Sequence, residues 1–399
     1  MENIVITGMG FVTPLGCESH QVLESVLCAE TAIRKKQIPT LSGSEVSVWN
    51  ASVDEFDATK YVPKKKLRRM DNVNKFAINA CGDALFDAGI TDDLKQNCGV
   101  LVGTGFSGLS SVAKHNQKLH ADGIEALSPI HFPTTVYNAT AGMVAIEHQL
   151  SAVNSTITGM DQCSEYALLY AMLLLRQGQA DRVVVIGADE LSDPQQIGLR
   201  NLGLLSRDGN HAAFSNKNDG LIMSEGAVAI VLEKESLARQ RGAKMYARIT
   251  GFGQFNASDS QFSYSESTQG ARIAVDQALT QAGLASDQIG LVSCSANGSS
   301  GLNALESALI SELFDAGAVP VRAFNSVMGS YPGVGVGRLA LSILALKNSS
   351  LEKLGQGLDA DFDMQPYLSK SLDAEKASIL HLSNGVGGSA LAITLEVMS

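Results

Sequence analysis

The sequence predicts an α/β fold built from two duplicated halves, stacked as five alternating layers in the order α-β-α-β-α. Three observations carry this. Strand-like runs with few polar positions alternate with helical patterns along the whole 399-residue chain, as in parallel or mixed sheets covered on both faces. Two stretches, AVAIVLE (Ala227 to Glu233) and ALAITLE (Ala390 to Glu396), are near copies, each preceded by a glycine-rich segment, which points to an internal duplication. Two helical patterns, 163–177 and 335–347, are apolar on every side, which fits helices enclosed between sheets.

The elements follow in order. Strands are expected at 99–105, 155–158, 183–187 and 227–233 in the first half, and at 289–294, 321–324, 378–382 and 390–396 in the second. Between them lie helical patterns at 71–88, 138–149, 163–177, 268–283, 303–315 and 335–347. The first inner helix carries Ala167, Leu168, Leu169, Ala171, Met172, Leu173, Leu174 and Leu175, and the second carries Val336, Leu339, Ala340, Leu341, Ile343, Leu344, Ala345 and Leu346. No linker or low-complexity tract divides the chain, so the halves are taken as 1–240 and 241–399.

Composition narrows the function. With 45% hydrophobic and 18% charged residues the chain is an ordinary globular one, and a net charge of −11 argues against a nucleic-acid binder, which needs a basic face. The segment from Met1 to Gly8 has no basic stretch ahead of an apolar one, and no uninterrupted apolar run reaches about 18 residues. A cytoplasmic protein with no membrane span is expected. The six cysteines (17, 28, 81, 98, 163, 294) form no CxxC pair, so neither a disulfide framework nor a metal site is indicated, and nothing calls for a cofactor. One local exception to the acidic balance is Lys64, Lys65, Lys66, Arg68 and Arg69, five cations in six residues ahead of the helical pattern at 71–88. It reads either as a solvated helix start or as a docking patch for an acidic protein or a phosphate.

Several motifs, in order, resemble the β-ketoacyl-acyl carrier protein synthase family over nearly the whole chain. Ile4 to Gly10 with Thr13-Pro14-Leu15-Gly16 resembles its opening strand and turn. Gly103-Thr104-Gly105-Phe106-Ser107-Gly108, Phe132-Pro133-Thr134-Thr135 with Asn138 and Ala141-Gly142, Asp219-Gly220 with Glu225-Gly226, and Gly385-Val386-Gly387-Gly388 follow at matching spacing. The resemblance implies a thiolase-like fold. It also implies a decarboxylative condensation between a cysteine-bound acyl chain and a malonyl unit on a carrier protein. That chemistry needs a thiolate, favoured at the N-terminus of a buried helix, and two histidines with a lysine nearby to stabilise developing negative charge.

This sequence departs from the pattern at each of those positions. Laid on the family without gaps, the nucleophile position holds Asp161, which suits a helix N-cap and cannot form a thioester. Cys163 lies two residues on and becomes the nucleophile only if two residues are dropped from the turn. Otherwise it is a buried first-turn thiol, with bulky Glu165 and Tyr166 where the family has small side chains. The first histidine is replaced by Asn297, or by Ser295 if its loop is laid without a gap. Asn325 and Ser330 stand in for the lysine and the second histidine, and the paired phenylalanines of the last motif become Asn384 and Val386. None of the seven histidines (20, 115, 120, 131, 148, 211, 381) falls at a catalytic position.

The resemblance therefore implies a catalytically inactive ketosynthase-like subunit of the chain-length-factor type. Such a subunit pairs with an active ketosynthase in a heterodimer and shapes the acyl tunnel at their interface. Actinobacterial versions usually carry glutamine at the nucleophile position, from which Asp161 departs; among subfamilies the chain looks closer to the partner subunit of aryl polyene pigment systems. Phe106, Ser110 and Ala113 after Gly105, and His131 and Phe132 before Pro133, are expected to face the tunnel or the dimer interface. Lys64 to Arg69 aligns with the region that resembles the family's docking surface for acidic acyl carrier protein. Two other readings stay open: an active condensing enzyme or acyl-carrier decarboxylase using Cys163, and a stand-alone acyl-binding homodimer.

Overall fold

A computed structural model describes residues 2–28, 30–40, 43–127, 129–258, 263–348, 364–373 and 375–398, apart from the side chains of Ile130 and His131. The strands among the described residues are β1 (Ile4–Val12), β2 (Arg34–Pro39), β3 (Glu45–Ala51), β4 (Cys98–Thr104), β5 (Asn154–Thr158), β6 (Arg182–Asp189), β7 (Met223–Ser224), β8 (Gly226–Lys234), β9 (Ala247–Asn256), β10 (Ile289–Ser293), β11 (Val321–Arg322), β12 (Ser378–Gly385) and β13 (Ser389–Val397).

Ten of these join in the order β11-β10-β12-β13-β9-β1-β8-β6-β4-β5. The run reads as two copies of one five-stranded pattern. In the first, β1 is antiparallel to β8 and β8 to β6, while β6, β4 and β5 are parallel. In the second, β9, β13, β12, β10 and β11 repeat those directions in turn. The near copies AVAIVLE and ALAITLE are therefore β8 and β13, at equivalent places. A seam of three residue pairs between β1 and β9, Ile4 with Ile249 through Ile6 with Ala247, joins the halves. A separate sheet of β2, β3 and β7 flanks the first half.

The duplication extends to a feature absent from the expected elements. Thr7-Gly8-Met9-Gly10 on β1 and Thr250-Gly251-Phe252-Gly253 on β9 correspond. A Cβ on Gly8 or Gly10 would strike the Ala84 or Ala80 carbonyl of helix Asn72–Asp87, and one on Gly251 or Gly253 would strike Ala278 or Ala274 of helix Gln269–Ala282. In both halves the missing side chains let an outer helix lie directly on the sheet.

The two inner helices, Cys163–Arg176 and Gly335–Lys347, pack between the sheet halves at the centre of the largest core cluster. Gly335 to Leu346 are all buried, as expected. Helix Cys163–Arg176 differs: Tyr170 and Leu173 are 40% and 47% exposed, and Met160 just before it 50%. Its apolar girdle is thus a core face plus a flank left exposed beside β5, which among the described residues pairs only with β4 at the end of the sheet. The basic stretch does not open the helix at 72 either. It forms its own short helix, Lys64–Leu67, separated by a turn. Among the described residues no helix is long and apolar enough to cross a membrane.

Candidate functional site

The strand-to-helix turn after β5 places Asp161 where the chain enters the first inner helix. The carboxylate does not cap that helix as the sequence suggested. The N-cap residue is Gln162, whose side chain makes no cap bond and instead donates to the Ser383 carbonyl. Asp161 reaches across to the glycine-rich turn after β12, where its Oδ2 accepts the Val386 N–H at 2.9 Å. Burial, with Glu165 adding, pushes its pKa up against that bond.

Asp161 and Val386 border a cavity of about 780 Å3 that also meets Phe106, Met160, Tyr264, Asn297 and Ser330. Three of the four positions singled out as degenerate, Asp161, Asn297 and Ser330, are therefore neighbours around one space. The fourth, Asn325, does not border it, donating to the Ser295 carbonyl at 3.1 Å and leaving its Oδ1 without a partner among the described residues. Of Asn297 and Ser295, the two candidates after β10, Asn297 borders the cavity; its amide donates to the Tyr264 hydroxyl at 3.3 Å, and its Oδ1 accepts the Ser299 N–H at 3.0 Å. Ser295 instead donates from Oγ to Glu306 at 2.6 Å. Glu306, fully buried, also accepts the Ser295 and Ala296 amides and the Asn384 side chain. This carboxylate fixes the shape of the loop without touching the cavity.

Tyr264 was not anticipated. It comes from a loop without a recognisable motif, and burial, together with the Asp161 charge, raises its phenol well above the usual range. Among the described residues the cavity wall holds no imidazole, thiol or ammonium group. It can hold a carbonyl or hydroxyl by hydrogen bonds, but offers no sulfur nucleophile and no cationic partner for developing negative charge.

Cys163 is the first residue of the inner helix and 1% exposed. It does not border the cavity. Burial, with Asp189, Glu165 and Asp161 nearby, drives its thiol pKa well up, the reverse of what a nucleophile at a helix N-terminus needs.

Bulky Glu165 lies beneath the turn and joins the two inner helices. Its Oε1 pairs with Arg338 Nη2 at 3.0 Å with both side chains buried, and Ser164 donates to its Oε2 at 2.9 Å. Arg338 also donates to the Cys294 and Leu382 carbonyls at 3.0 and 2.9 Å. Burial alone would raise the Glu165 carboxyl, yet His381 and Arg338 beside it hold it at about 2. Burial, and Arg338 after it, hold His381 at about 4 and hence neutral. Asp189, at the end of β6, accepts Thr104 Oγ1 and the amides of Gly105, Phe106 and Gly333 at 2.7–2.9 Å. It ties the turn carrying Phe106 to the second half, and burial pushes its carboxyl to about 6.

The residues expected along one tunnel surface are divided. Phe106 borders the cavity of Asp161, whereas Ser110 and Ala113 line a different one of about 870 Å3. The reason is local: Gly108, at φ 81°, turns the chain before helix Leu109–Asp122 begins. Phe132 is 62% exposed, and the His131 side chain lies outside the described residues. In the basic stretch Lys66 is committed to Glu147 at 2.7 Å. Lys64, Lys65, Arg68 and Arg69 are exposed, and the last two border a cavity of about 300 Å3 together with Lys114, His115 and Lys118.

Comparison with known proteins places this geometry. Residues 1–238 match the family described as "Beta-ketoacyl synthase, N-terminal domain", and residues 246–355 match "Beta-ketoacyl synthase, C-terminal domain". The chain is 27% identical to 3-oxoacyl-[acyl-carrier-protein] synthase 2 of Rhizobium meliloti, with 99% of each chain covered. It is 30% identical to the protein of that name from Vibrio cholerae, with 72% of each covered. Among solved structures, a β-ketoacyl synthase from Burkholderia phymatum superposes with TM-score 0.87 at 23% identity, covering all of both chains. A ketosynthase in complex with its chain length factor from Xenorhabdus doucetiae gives 0.85 at 18%, covering 100% of this chain and 98% of that one. These two superpositions establish the fold.

Proposed function

Because this chain belongs to the β-ketoacyl synthase family, we propose that it is a non-catalytic, chain-length-factor-type subunit that pairs with an active ketosynthase and shapes the space in which the acyl chain grows. One observation carries the reading. Where the condensation needs a sulfur nucleophile, the chain presents Asp161, whose carboxylate is held on the Val386 N–H in a cavity that, among the described residues, meets no thiol, imidazole or ammonium group. A thioester cannot form there. The backbone donor that an oxyanion would use is already taken by an anion-forming group.

The uncovered flank supports pairing. Among the described residues the outer edge of β5 has no strand partner, and Met160, Tyr170 and Leu173 lie beside it, with exposed Phe132, Val136 and Tyr137 on neighbouring segments. A free strand edge flanked by large apolar groups is a surface that another chain covers in a soluble protein. A ketosynthase of the same fold offers a matching edge. The exposed cations Lys64, Lys65, Arg68 and Arg69 suit an acidic acyl carrier protein arriving at the pair.

Co-purification with a candidate ketosynthase, followed by size-exclusion chromatography with light scattering, tests the pairing: a 1:1 heterodimer is expected. Stable homodimers persisting in the partner's presence would overturn it. Intact-mass analysis after incubation with an acyl carrier thioester tests the lack of catalysis: an acyl adduct on this chain, on Cys163 above all, would refute it.

A further inference from the structure

The replacements that remove the condensation chemistry also reverse the charge of the cavity they border. Among the described residues its wall holds the carboxylates Asp161, Asp219 and Glu266 and no lysine, arginine or histidine. The condensation needs the opposite, donors and cations that meet developing negative charge. Asp219 is fixed by the Ser206 hydroxyl at 2.5 Å and the Arg207 N–H at 2.9 Å, and Glu266 is exposed. Asp161 uses only Oδ2, on the Val386 N–H; its Oδ1 has no partner among the described residues. A second observation is independent of these charges. Asn218 borders the same cavity and is 9% exposed. Its Nδ2 is turned back onto the Ala212 carbonyl at 2.8 Å, and Oδ1, the end left over, has no hydrogen-bond partner. The wall is continuous between the two groups: the Asp161 charge acts on the Tyr264 phenol, Tyr264 accepts the Asn297 amide, and Gly298 closes on the Gly220 carbonyl. Both open positions are acceptors, so what this wall lacks is a donor. The rings of Phe106, Tyr264 and Tyr331 share it, and ring faces attract cations.

We propose that this cavity binds a small organic amine, with Asp161 as the counter-charge of its ammonium group, Asn218 as a further acceptor and the aromatic rings against its carbon body. A primary ammonium brings three donors and no acceptor, which matches a wall whose open positions are acceptors. A carboxylate or phosphate would instead meet charges of its own sign. Burial, with Glu165 adding, works against an ionised Asp161, and a cation beside the carboxylate offsets that cost. A subunit that shapes its partner's tunnel has no need of such a ligand, so the inference goes beyond the subunit reading and does not rest on it.

Isothermal titration calorimetry at pH 7 on the purified full chain, alone and with its ketosynthase partner, tests the site with probes of similar shape: 2-phenylethylamine, 2-phenylethanol and 3-phenylpropanoate. The amine should bind about tenfold tighter than the alcohol, a hydrogen bond between charged groups being stronger than a neutral one, and the carboxylate should bind weakest. Asp161→Asn keeps the shape of the side chain and an oxygen for the Val386 N–H, and should cut the amine's advantage to about twofold. Asn218→Ala should weaken amine binding about threefold or more. Glu266→Gln removes the same charge from an exposed position and should leave the amine's advantage within about twofold of the wild type. An alcohol or carboxylate bound as tightly as the amine, a preference that survives Asp161→Asn, amine binding untouched by Asn218→Ala, or an equal loss in Glu266→Gln, the mark of a diffuse field, would overturn the proposal. Heterodimer formation and acyl labelling are read by other experiments, so the site and the subunit reading fail separately.

Discussion

Glu165 and Arg338 hold the two inner helices together, and the cost of separating them follows from their surroundings. Both side chains are buried to within 1%. Glu165→Leu leaves a guanidinium inside the protein with two carbonyl acceptors and the Ser383 hydroxyl but no counter-charge, which costs about 3–5 kcal/mol. Arg338→Met leaves the carboxylate unpaired at a similar cost and also strips donors from the Cys294 and Leu382 carbonyls, each worth roughly 1–3 kcal/mol. In the double variant both charges are gone and the two carbonyls remain unsatisfied, so its loss should be about 2–6 kcal/mol. The double variant should therefore be less destabilised than the sum of the singles by at least about 3 kcal/mol, a coupling far above the additive limit. Urea unfolding followed by far-UV circular dichroism, with m values compared across the four proteins, measures this cycle. Additivity to within about 0.5 kcal/mol would show that the pair does not act as a unit and would refute the argument.

Other expectations follow from the same structure. His381 stays neutral in the folded chain down to about pH 4, whereas an unfolded histidine takes up its proton near pH 6.5. Between those values the unfolded state binds more protons, so this contribution is full above about 6.5 and is lost as pH falls to about 4. The stability gap between the wild type and His381→Gln should narrow over that window, and a gap independent of pH would contradict it. Asp161 has a raised pKa, so its contribution declines as pH rises through the carboxylate range; Asp161→Asn should be the more stable protein at pH 7, as thermal melts at pH 4 and 7 would reveal. Asp161→Cys should take up no detectable acyl group by intact-mass analysis, because Asn297, Asn325 and Ser330 remain; rapid labelling would mean that the nucleophile was the sole deficiency. Gly335→Ala should give little soluble protein, since its Cβ would meet the Glu165 carboxyl; a fold of wild-type stability would show that the helices have slack there.

What could be read from the residues was whatever repeats locally. AVAIVLE and ALAITLE announced β8 and β13, and the strand and helix order followed from apolar runs. The second member of the Thr-Gly-x-Gly pair escaped because β9 alternates buried with partly exposed positions, among them Thr250 and Gln254, and so lacks the continuous apolar run of its neighbours. The inner helix at 163 read as apolar all round because hydrophobicity does not distinguish a core face from an uncovered flank. The convergence of Asp161, Asn297 and Ser330 was legible through ordered motifs. Their partners were not: the bond from Asp161 to Val386 spans 225 positions and the tie from Glu165 to Arg338 spans 173. Such contacts exist only once the halves have closed on each other, and no periodicity records them.

The three-pair seam between β1 and β9 bears on how the protein could be taken apart. Helix Gly335–Lys347 belongs to the second half of the chain, yet it rests on β8 and β6 of the first, so cutting the backbone in the segment after Lys234 would strand one half's lining on the other fragment. Each piece alone would present a raw sheet margin and an open oily trough. Produced together, the pieces should find each other and reassemble, a split protein whose reunion reports on whether its halves were ever separable.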